Sequence, residues 1–281
     1  MKIKIEGTKL NGIHLRIIGA LNKRVRIFVL LTAFSIASAF AQKEFREHKN
    51  DAFKPGESLT YRVHYGFIDA GEAKLEVLSE MKSFGTRPCY HVVGTGKSVG
   101  AFDWFFKVRD RYESFVDSAA IMPWFFIRRV DEGGYKINQT VTFNHYKNIV
   151  TSEKSTLNMP DYLQDLVSAF YYARTTDFNT LKIGDVLPID AWLDDALIPL
   201  NVKFVGREKL NTKFGKINCI VLRPLLQQGR VFKENEDLTL WVSDDQNKIP
   251  IRAEAKILVG SVKMDLKNFS GLAVPLAKAD D

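Results

Sequence analysis

Alternating apolar and polar residues dominate the chain from Phe53 onward. Between Ser58 and Tyr65 the apolar side chains fall at every second position: Leu59, Tyr61, Val63 and Tyr65. This spacing gives a β-strand one apolar face. The alternation returns in six further short segments, which Gly, Pro, Asn or Asp mostly separate: 72–78, 89–93, 102–108, 111–116, 125–130 and 135–143. Regular short strands of this kind predict antiparallel sheets in a meander, sandwich or barrel.

One segment has helical spacing instead. The apolar residues that follow Pro160 recur three and four positions apart: Leu163, Leu166, Val167, Phe170 and Tyr171. Asp161 can cap the N-terminus of a helix, and Arg174 suits the negative end of the helix dipole. The sequence therefore predicts one amphipathic helix over 161–175, whose apolar stripe must pack on a face or the open mouth of the sheet.

The segments on either side of this helix resemble each other. Phe84-Gly85-x-x-x-Cys89 recurs as Phe214-Gly215-x-x-x-Cys219, and Met122-Pro123 recurs as Ile249-Pro250. Chance similarity between hairpins is the alternative explanation. We predict a mainly β fold, a curved antiparallel sheet or partly open β-barrel built from two related halves, 53–159 and 177–272, with the helix between them. The single domain then covers 53–272.

The first residues carry the features of a cleavable export signal. A basic stretch at 23–26 precedes an apolar run at 27–37, and Ala39-Phe40-Ala41 supplies a small-x-small cleavage site. The run is shorter than the roughly 20 residues of a membrane-spanning helix. We expect a signal peptide at 1–41, a flexible lead-in at 42–52 and a C-terminal tail at 273–281. A true start near Leu21, rather than Met1, would give a more compact signal.

Export and charge together narrow the classes of partner. Residues 1–41 contain seven Lys or Arg and one Glu, so they carry +6 of the formal net charge of +7. The remainder is nearly neutral, which removes the argument for a nucleic-acid-binding basic surface. We expect an exported protein, in the periplasm of a Gram-negative bacterium, that binds no nucleic acid or nucleotide and spans no membrane after cleavage.

Two glycine motifs lie in residues 94–100. Gly94-Thr95-Gly96-Lys97-Ser98 looks like the end of a phosphate loop, but His91 stands where its first Gly belongs. The alternation after it predicts a strand where that loop needs a helix. We interpret 94–98 as a Gly-rich turn. Gly96 to Gly100 also matches the G-x-S-x-G nucleophile elbow, so an envelope hydrolase that uses Ser98 and His145 stays an alternative.

The sequence contains no pattern typical of a metal site, and its two cysteines leave two interpretations open. The histidines are scattered without the spacing of a metal site, and the acidic clusters lack the pattern of a calcium loop. We predict no metal and no cofactor. The two cysteines, Cys89 and Cys219, either form a disulfide or pack as small apolar side chains.

Large aromatic residues are concentrated in 102–106, in 123–126 and on the predicted helix. They can fill the core of a curved sheet, line a cavity for a lipid-like ligand, or form a surface for a protein partner. The ligand interpretation gives a candidate site of five residues: Trp104, Phe106, Trp124, Phe126 and Phe170.

Several short motifs resemble a known family. They are Gly56-Glu57-x-Leu59-x-Tyr61, Gly71-x-Ala73, Asp165-x-x-Ser168-Ala169-x-Tyr171 with Arg174, and Leu240-Trp241-Val242-Ser243-Asp244 before Pro250. This set resembles DUF3108, a family of exported bacterial proteins of unknown function. The resemblance implies a predominantly β envelope protein and no activity. Asp165, Ser168 and Arg174 match its helix motif, where we expect them to anchor the helix, with Arg174 paired to a carboxylate of the sheet.

The leading functional hypothesis is therefore a non-enzymatic envelope protein. It would bind an apolar or amphipathic ligand, or a partner protein, on the concave face of its sheet. A structural or assembly factor with a filled core is the first alternative, and the hydrolase is the second.

Overall fold

Strands and two short helices follow one another through residues 43–225, 238–256 and 260–279, the parts of the chain that this computed structural model describes. The expected signal peptide at 1–41 lies outside them. The strands are β1 Ser58–Tyr65, β2 Ile68–Val77, β3 Lys82–Phe84, β4 Arg87–Ser98, β5 Arg109–Asp117, β6 Pro123–Glu132, β7 Tyr135–Asn144, β8 Ile149–Ser152, β9 Thr156–Asn158, β10 Val186–Leu187, β11 Asp190–Leu193, β12 Ala196–Pro199, β13 Asn201–Thr212, β14 Gly215–Leu225, β15 Leu238–Ser243, β16 Pro250–Lys256 and β17 Ser261–Ser270. The helices are α1 Gly100–Phe105 and α2 Leu166–Arg174.

Fifteen of these strands form one antiparallel sheet. Its order is β10-β13-β14-β15-β16-β17-β1-β2-β4-β5-β6-β7-β8-β9, with β3 added beside β4. The last strand, β17, pairs with the first, β1, from Ser58↔Ser270 to Tyr65↔Val262. This pairing joins the two halves edge to edge. The sheet does not close, so the predicted mainly β, antiparallel fold is confirmed in its open form.

The two halves contain the same turn at equivalent places. Cys89 pairs with Asp117 across β4 and β5, and Cys219 pairs with Ser243 across β14 and β15. The next turn then ends on a bulge that places Pro123 opposite Val116 and Pro250 opposite Val242. These matched registers are what two related halves predict.

Helix α2 packs on the inner face of the sheet, which we define as the face that carries Val92, Val116 and Phe126. These three residues share a core cluster with Val167 and Tyr171 of the helix. Ala169, on another side of α2, packs with Ile220, Leu222 and Val242 of the second half. The helix therefore supplies apolar surface to both halves, neither of which can bury its inner face alone.

The structure differs from the sequence prediction in 94–106. Gly94 and Gly96 lie inside β4, paired with Leu75 and Ala73 of β2, and do not form a turn. Neighbouring strands on both sides supply the hydrogen bonds that outweigh the low strand propensity of glycine. Residues 100–105 form helix α1 where a strand was predicted, because Gly100 adopts φ +59° and ends the strand.

Helix α2 begins later than predicted. Asp161 is exposed, and Tyr162 adopts a left-handed φ of +61°, which a continuous helix cannot contain. Gln164 instead forms a parallel bridge with Ala191. Helical structure starts only at Leu166, with Asp165 as its N-cap.

The segment 42–52 was expected to be a flexible lead-in, but from Arg46 onward it makes hydrogen bonds to the domain. The Arg46 backbone nitrogen donates to the Tyr162 hydroxyl, and the Arg46 guanidinium donates to the Ala120 carbonyl oxygen. The His48 ring bonds the Thr175 hydroxyl, and the His48 amide donates to the Ala119 carbonyl. Composition alone gave no sign of these contacts, because they are made by isolated polar groups.

Candidate functional site

A buried ion pair lies beside the C-terminal end of α2. Arg174, 2% exposed, donates from both terminal nitrogens to the two carboxylate oxygens of Glu57, 1% exposed, at 2.6 and 2.7 Å. Arg174 also donates to the Ala52 and Asn247 carbonyl oxygens. Burial alone lowers the pKa of Arg174, but the Glu57 carboxylate reverses this effect and the net pKa is raised. All three nitrogens of the planar guanidinium thus have acceptors within the fold.

This ion pair joins three of the four stretches whose motifs resemble the DUF3108 family. Glu57 enters β1, Arg174 ends α2, and Asn247 lies in the turn between β15 and β16. Tyr171 also donates its hydroxyl to Glu57 at 3.4 Å, and Tyr61 lies close by with its hydroxyl buried. The arrangement fixes the end of α2 against both halves of the sheet.

Asp165 and Ser168 fix the other end of the helix. Asp165 accepts hydrogen bonds from the Val167 and Ser168 amides at 2.8 Å, and the Ser168 hydroxyl accepts from the Asp165 amide. This is a capping box. The second carboxylate oxygen of Asp165 accepts from the Ser114 hydroxyl of β5 at 2.6 Å, so the cap also ties α2 to the sheet.

Burial raises the pKa of Asp165 to about 6. The unfolded carboxyl has a pKa near 3.9, so the folded state holds the proton more tightly. The contribution of this group to the free energy of unfolding should then fall by roughly 3 kcal/mol as the pH rises from about 4 to about 6, and stay level above it. Asp165→Asn keeps a cap and should remove this fall. Chemical denaturation at several pH values tests it, with exposed Asp161→Asn as the control; equal slopes for both variants would contradict it.

An apolar cavity lies between α2 and the second half of the sheet. Its volume is about 110 Å³, and its wall is almost entirely carbon. Ala169 and Phe170 of α2 form one side, and Val202, Leu222 and Leu240 of β13, β14 and β15 form the other. Lys248, in the turn between β15 and β16, is also among the lining residues.

A larger apolar groove lies on the other side of Phe170. It has a volume of about 370 Å³ and is more open to solvent than the cavity. Leu166 and Phe170 line both spaces, whereas Gly94 and Gly96 line only the groove. A Cβ atom at Gly94 would lie 3.3 Å from a methyl group of Leu75, and one at Gly96 would lie 3.8 Å from the Cβ of Asp110. The two glycines thus leave room along β4 that side chains would fill.

The structure does not bring the five predicted ligand-binding residues together. Trp124 and Phe126 are buried, and Trp124 donates its indole N–H to Asp117. Trp104 and Phe106 belong to α1 and the residue after it, and Trp104 is 82% exposed. Phe170 alone of the five lines the cavity and the groove. The interpretation of Trp104 and Phe106 as cavity residues fails because 100–105 is a surface helix rather than a strand.

Most of the exposed large apolar residues of the first half lie at one end of the sheet. Strands β1, β4 and β6 run in the same direction, so the turns that follow them share one end. These turns expose Phe67, Ile68, Trp104, Phe105 and Tyr135. Exposed apolar patches often mark contact sites for a partner.

The serine hydrolase arrangement is not formed. Ser98 ends β4, where its hydroxyl donates to Asp103 and accepts from the Val108 amide. His145 bonds the Pro123 carbonyl oxygen, near the opposite end of β4. About nine residues of strand, roughly 30 Å, separate these two ends. His145 therefore lies too far away to act as the base of Ser98.

The cysteines are separate thiols. Cys89 and Cys219 are both buried, and burial raises the pKa of each thiol to about 12. They pack as small apolar side chains and are poor nucleophiles. Among residues 43–225, 238–256 and 260–279, no group of three or more His, Cys, Asp or Glu side chains could hold a metal ion. Within the same ranges, no helix is long and apolar enough to cross a membrane.

Sequence reasoning missed several residues of this region. Glu57 was part of a motif but was not recognised as the partner of Arg174, 117 positions away. Gly94 and Gly96 were assigned to a turn, and Lys248 received no role. One signal for Gly94 and Gly96 was available: they stand two positions apart, on one face of a strand. Glycine within a strand often marks a place where another group approaches the backbone closely.

Comparisons with solved structures agree with the fold. A β-barrel-like protein of the domain of unknown function DUF1849 from Brucella abortus is 10% identical with a TM-score of 0.52, covering 79% of this chain and 99% of that chain. A hypothetical protein, CT021, from Chlamydia trachomatis is 8% identical with a TM-score of 0.38, covering 82% and 94%. A proposed lipoprotein from Parabacteroides distasonis is 10% identical with a TM-score of 0.37, covering 81% and 100%. At these identities only the Brucella structure supports an argument, and it concerns the fold alone.

No curated protein matches the chain. The family described as "Protein of unknown function (DUF3108)" matches residues 60–267. This range contains nearly the whole sheet, α2, and Arg174 of the buried ion pair. The chain therefore belongs to the DUF3108 family.

Proposed function

We propose that this protein is an exported, non-enzymatic protein of the cell envelope that binds an apolar or amphipathic ligand on the inner face of its sheet. The observation that carries the proposal is the carbon-lined cavity beside α2, which shares Leu166 and Phe170 with the lining of the apolar groove. A core that served packing alone would fill such spaces, because empty volume costs contact energy.

The sequence supports the cellular location. The segment 1–41 has the basic, apolar and small-residue parts of an export signal, and the charge that remains is nearly neutral. We place the protein in the periplasm of a Gram-negative bacterium, where apolar ligands need a carrier or a sheltered site. Asp165, Ser168 and Arg174 hold the helix that forms the wall of the site.

Titration with the hydrophobic dye N-phenyl-1-naphthylamine tests the proposal. The protein without residues 1–41 should bind the dye saturably. Ala169→Leu, which extends a side chain into the cavity, and Gly96→Val, which extends one into the groove, should each weaken binding several-fold. Gly96 lies outside the left-handed region, so valine is compatible with its backbone.

Lys97→Val is the matched control. Lys97 neighbours Gly96 in β4 and is exposed, and its ion pair with Glu72 is of the surface kind that contributes at most about 1 kcal/mol. This variant should bind the dye like the parent protein. Absence of saturable binding by the parent, or binding that neither filling variant weakens, would overturn the proposal.

A further inference from the structure

Two cationic residues, Arg174 and Lys248, are among the described residues that line the cavity. Lys248 is half-buried, in the turn between β15 and β16. Within the described ranges its ammonium group makes no hydrogen bond and no ion pair. The other cation in the wall, Arg174, is neutralised by Glu57. A half-buried ammonium group without a partner is costly, since burial favours its neutral form.

The backbone of this turn does not require a lysine. Ile121 takes the equivalent place in the first half: it adopts φ +48°, Lys248 adopts φ +45°, and each stands two residues before Pro123 or Pro250. The Ile121 side chain is fully buried in the core. The fold thus accepts an apolar residue at this position, and only the half that contains the cavity has a cation there.

The groups that face Lys248 leave its charge available. Asp177, Asp244 and Asp245 raise its pKa from a distance, Arg174 lowers it, and burial, the largest effect, makes the net pKa lower than usual. Asp245 is already occupied, because it accepts hydrogen bonds from the Ser243 hydroxyl and the Asn247 amide. Among the described residues no carboxylate pairs with the Lys248 ammonium group, so an anion in the cavity can become its partner.

The size of the two spaces limits the apolar part of the ligand. A cavity of about 150 Å³ holds a benzene molecule, so the 110 Å³ here takes only a few carbon atoms. A longer chain must continue past Leu166 and Phe170, which also line the groove of about 370 Å³. A flexible, unbranched chain fits this path better than a rigid ring system.

We propose that the ligand is a medium-chain carboxylate, with its carboxylate on Lys248 and its alkyl chain running through the cavity toward the groove. This inference rests on the proposed function and specifies the ligand of that same site. A carboxylate accepts charge-assisted hydrogen bonds from an ammonium group, which an alcohol of equal length accepts only as neutral ones. Lys248 then selects the head group, and the carbon wall selects the chain.

Displacement of bound N-phenyl-1-naphthylamine by decanoate, decanol and decylamine tests the inference at about pH 7.5, where the acid is ionised. Decanoate should displace the dye at a concentration at least roughly tenfold lower than decanol, and decylamine should be the weakest competitor. Lys248→Met should reduce the difference between decanoate and decanol to about twofold or less. Lys248→Arg and exposed Lys147→Met should keep it.

The outcomes separate the two proposals. Dye binding with equal displacement by decanoate and decanol would overturn the carboxylate inference and leave the proposed function intact. Failure of the parent protein to bind the dye or any of the three compounds would overturn both. The comparison on the parent protein decides the inference even where Lys248→Met does not fold. Where that variant folds and keeps the preference for decanoate, the role of Lys248 is refuted.

Discussion

Arg174→Met is expected to lower the free energy of unfolding by about 3–5 kcal/mol, because it leaves the Glu57 carboxylate buried without its counter-charge. This loss of stability should exceed the loss caused by replacing any exposed arginine with methionine. Methionine fills much of the volume of the arginine stem, so the effect reports mainly on charge and hydrogen bonding. Urea denaturation followed by tryptophan fluorescence measures it.

The matched experiments are a double-mutant cycle and a surface control. Glu57→Gln alone should also destabilise the protein, whereas Arg174→Met combined with Glu57→Gln should cost less than the sum of the two single changes. Arg62→Met, which removes an exposed pair with Asp69, should cost at most about 1 kcal/mol. Additive losses within about 0.5 kcal/mol would show that the two side chains do not act as a pair.

Asp117→Ala is expected to lower the free energy of unfolding by about 3–4 kcal/mol, a similar amount, in the same urea denaturation experiment. Asp117 is fully buried and accepts hydrogen bonds from Arg87, from the Trp124 indole, and from the amides of Ala119 and Ala120. Removal of the carboxylate takes away the acceptor that these four donors share. It also removes the hydrogen bonds that hold the turn before Pro123, so the start of β6 should become less ordered.

Two controls accompany this change. Asp161→Ala, in an exposed loop, should cost less than about 0.5 kcal/mol. The free energy of unfolding of Asp117→Asn should lie between those of the parent and the alanine variant, because the amide oxygen still accepts hydrogen bonds while the negative charge beside Arg87 is lost. A loss below about 1 kcal/mol for Asp117→Ala would mean that water replaces the carboxylate at this turn.

The β fold could be predicted from the sequence because its signal is local. Alternation in 58–62 and in 111–116 reflects which side chains face the core, and this pattern survives in the structure as alternating burial. A register shift between Val63 and His64 then reverses it, so that His64 is buried in place of Val63. The family motifs and the repeated turn at Pro123 and Pro250 were equally visible. The error at 102–106 has a local cause as well: Phe102, Trp104 and Phe106 alternate like a strand, but one glycine at positive φ starts a short helix.

The candidate site was much harder to predict from the sequence. Glu57 and Arg174 are distant in sequence, and nothing in either segment indicates that one neutralises the other. The cavity depends on Ala169, Leu222 and Lys248, which come from three separate elements. Whether space remains between packed side chains depends on their mutual positions, to within about the size of a methyl group, and residue type does not encode this.

By itself, the sequence determined the alternating strands, the amphipathic segment that became α2, the repeat of the turn, and the membership of a family. Each of these follows from side-chain properties that act over a few residues. The tertiary structure alone decided that β17 pairs with β1, that Glu57 meets Arg174, and that Lys248 lines an apolar cavity where its counterpart Ile121 fills a core. These features depend on contacts between distant segments, whose energies exist only once the sheet and its helix have assembled.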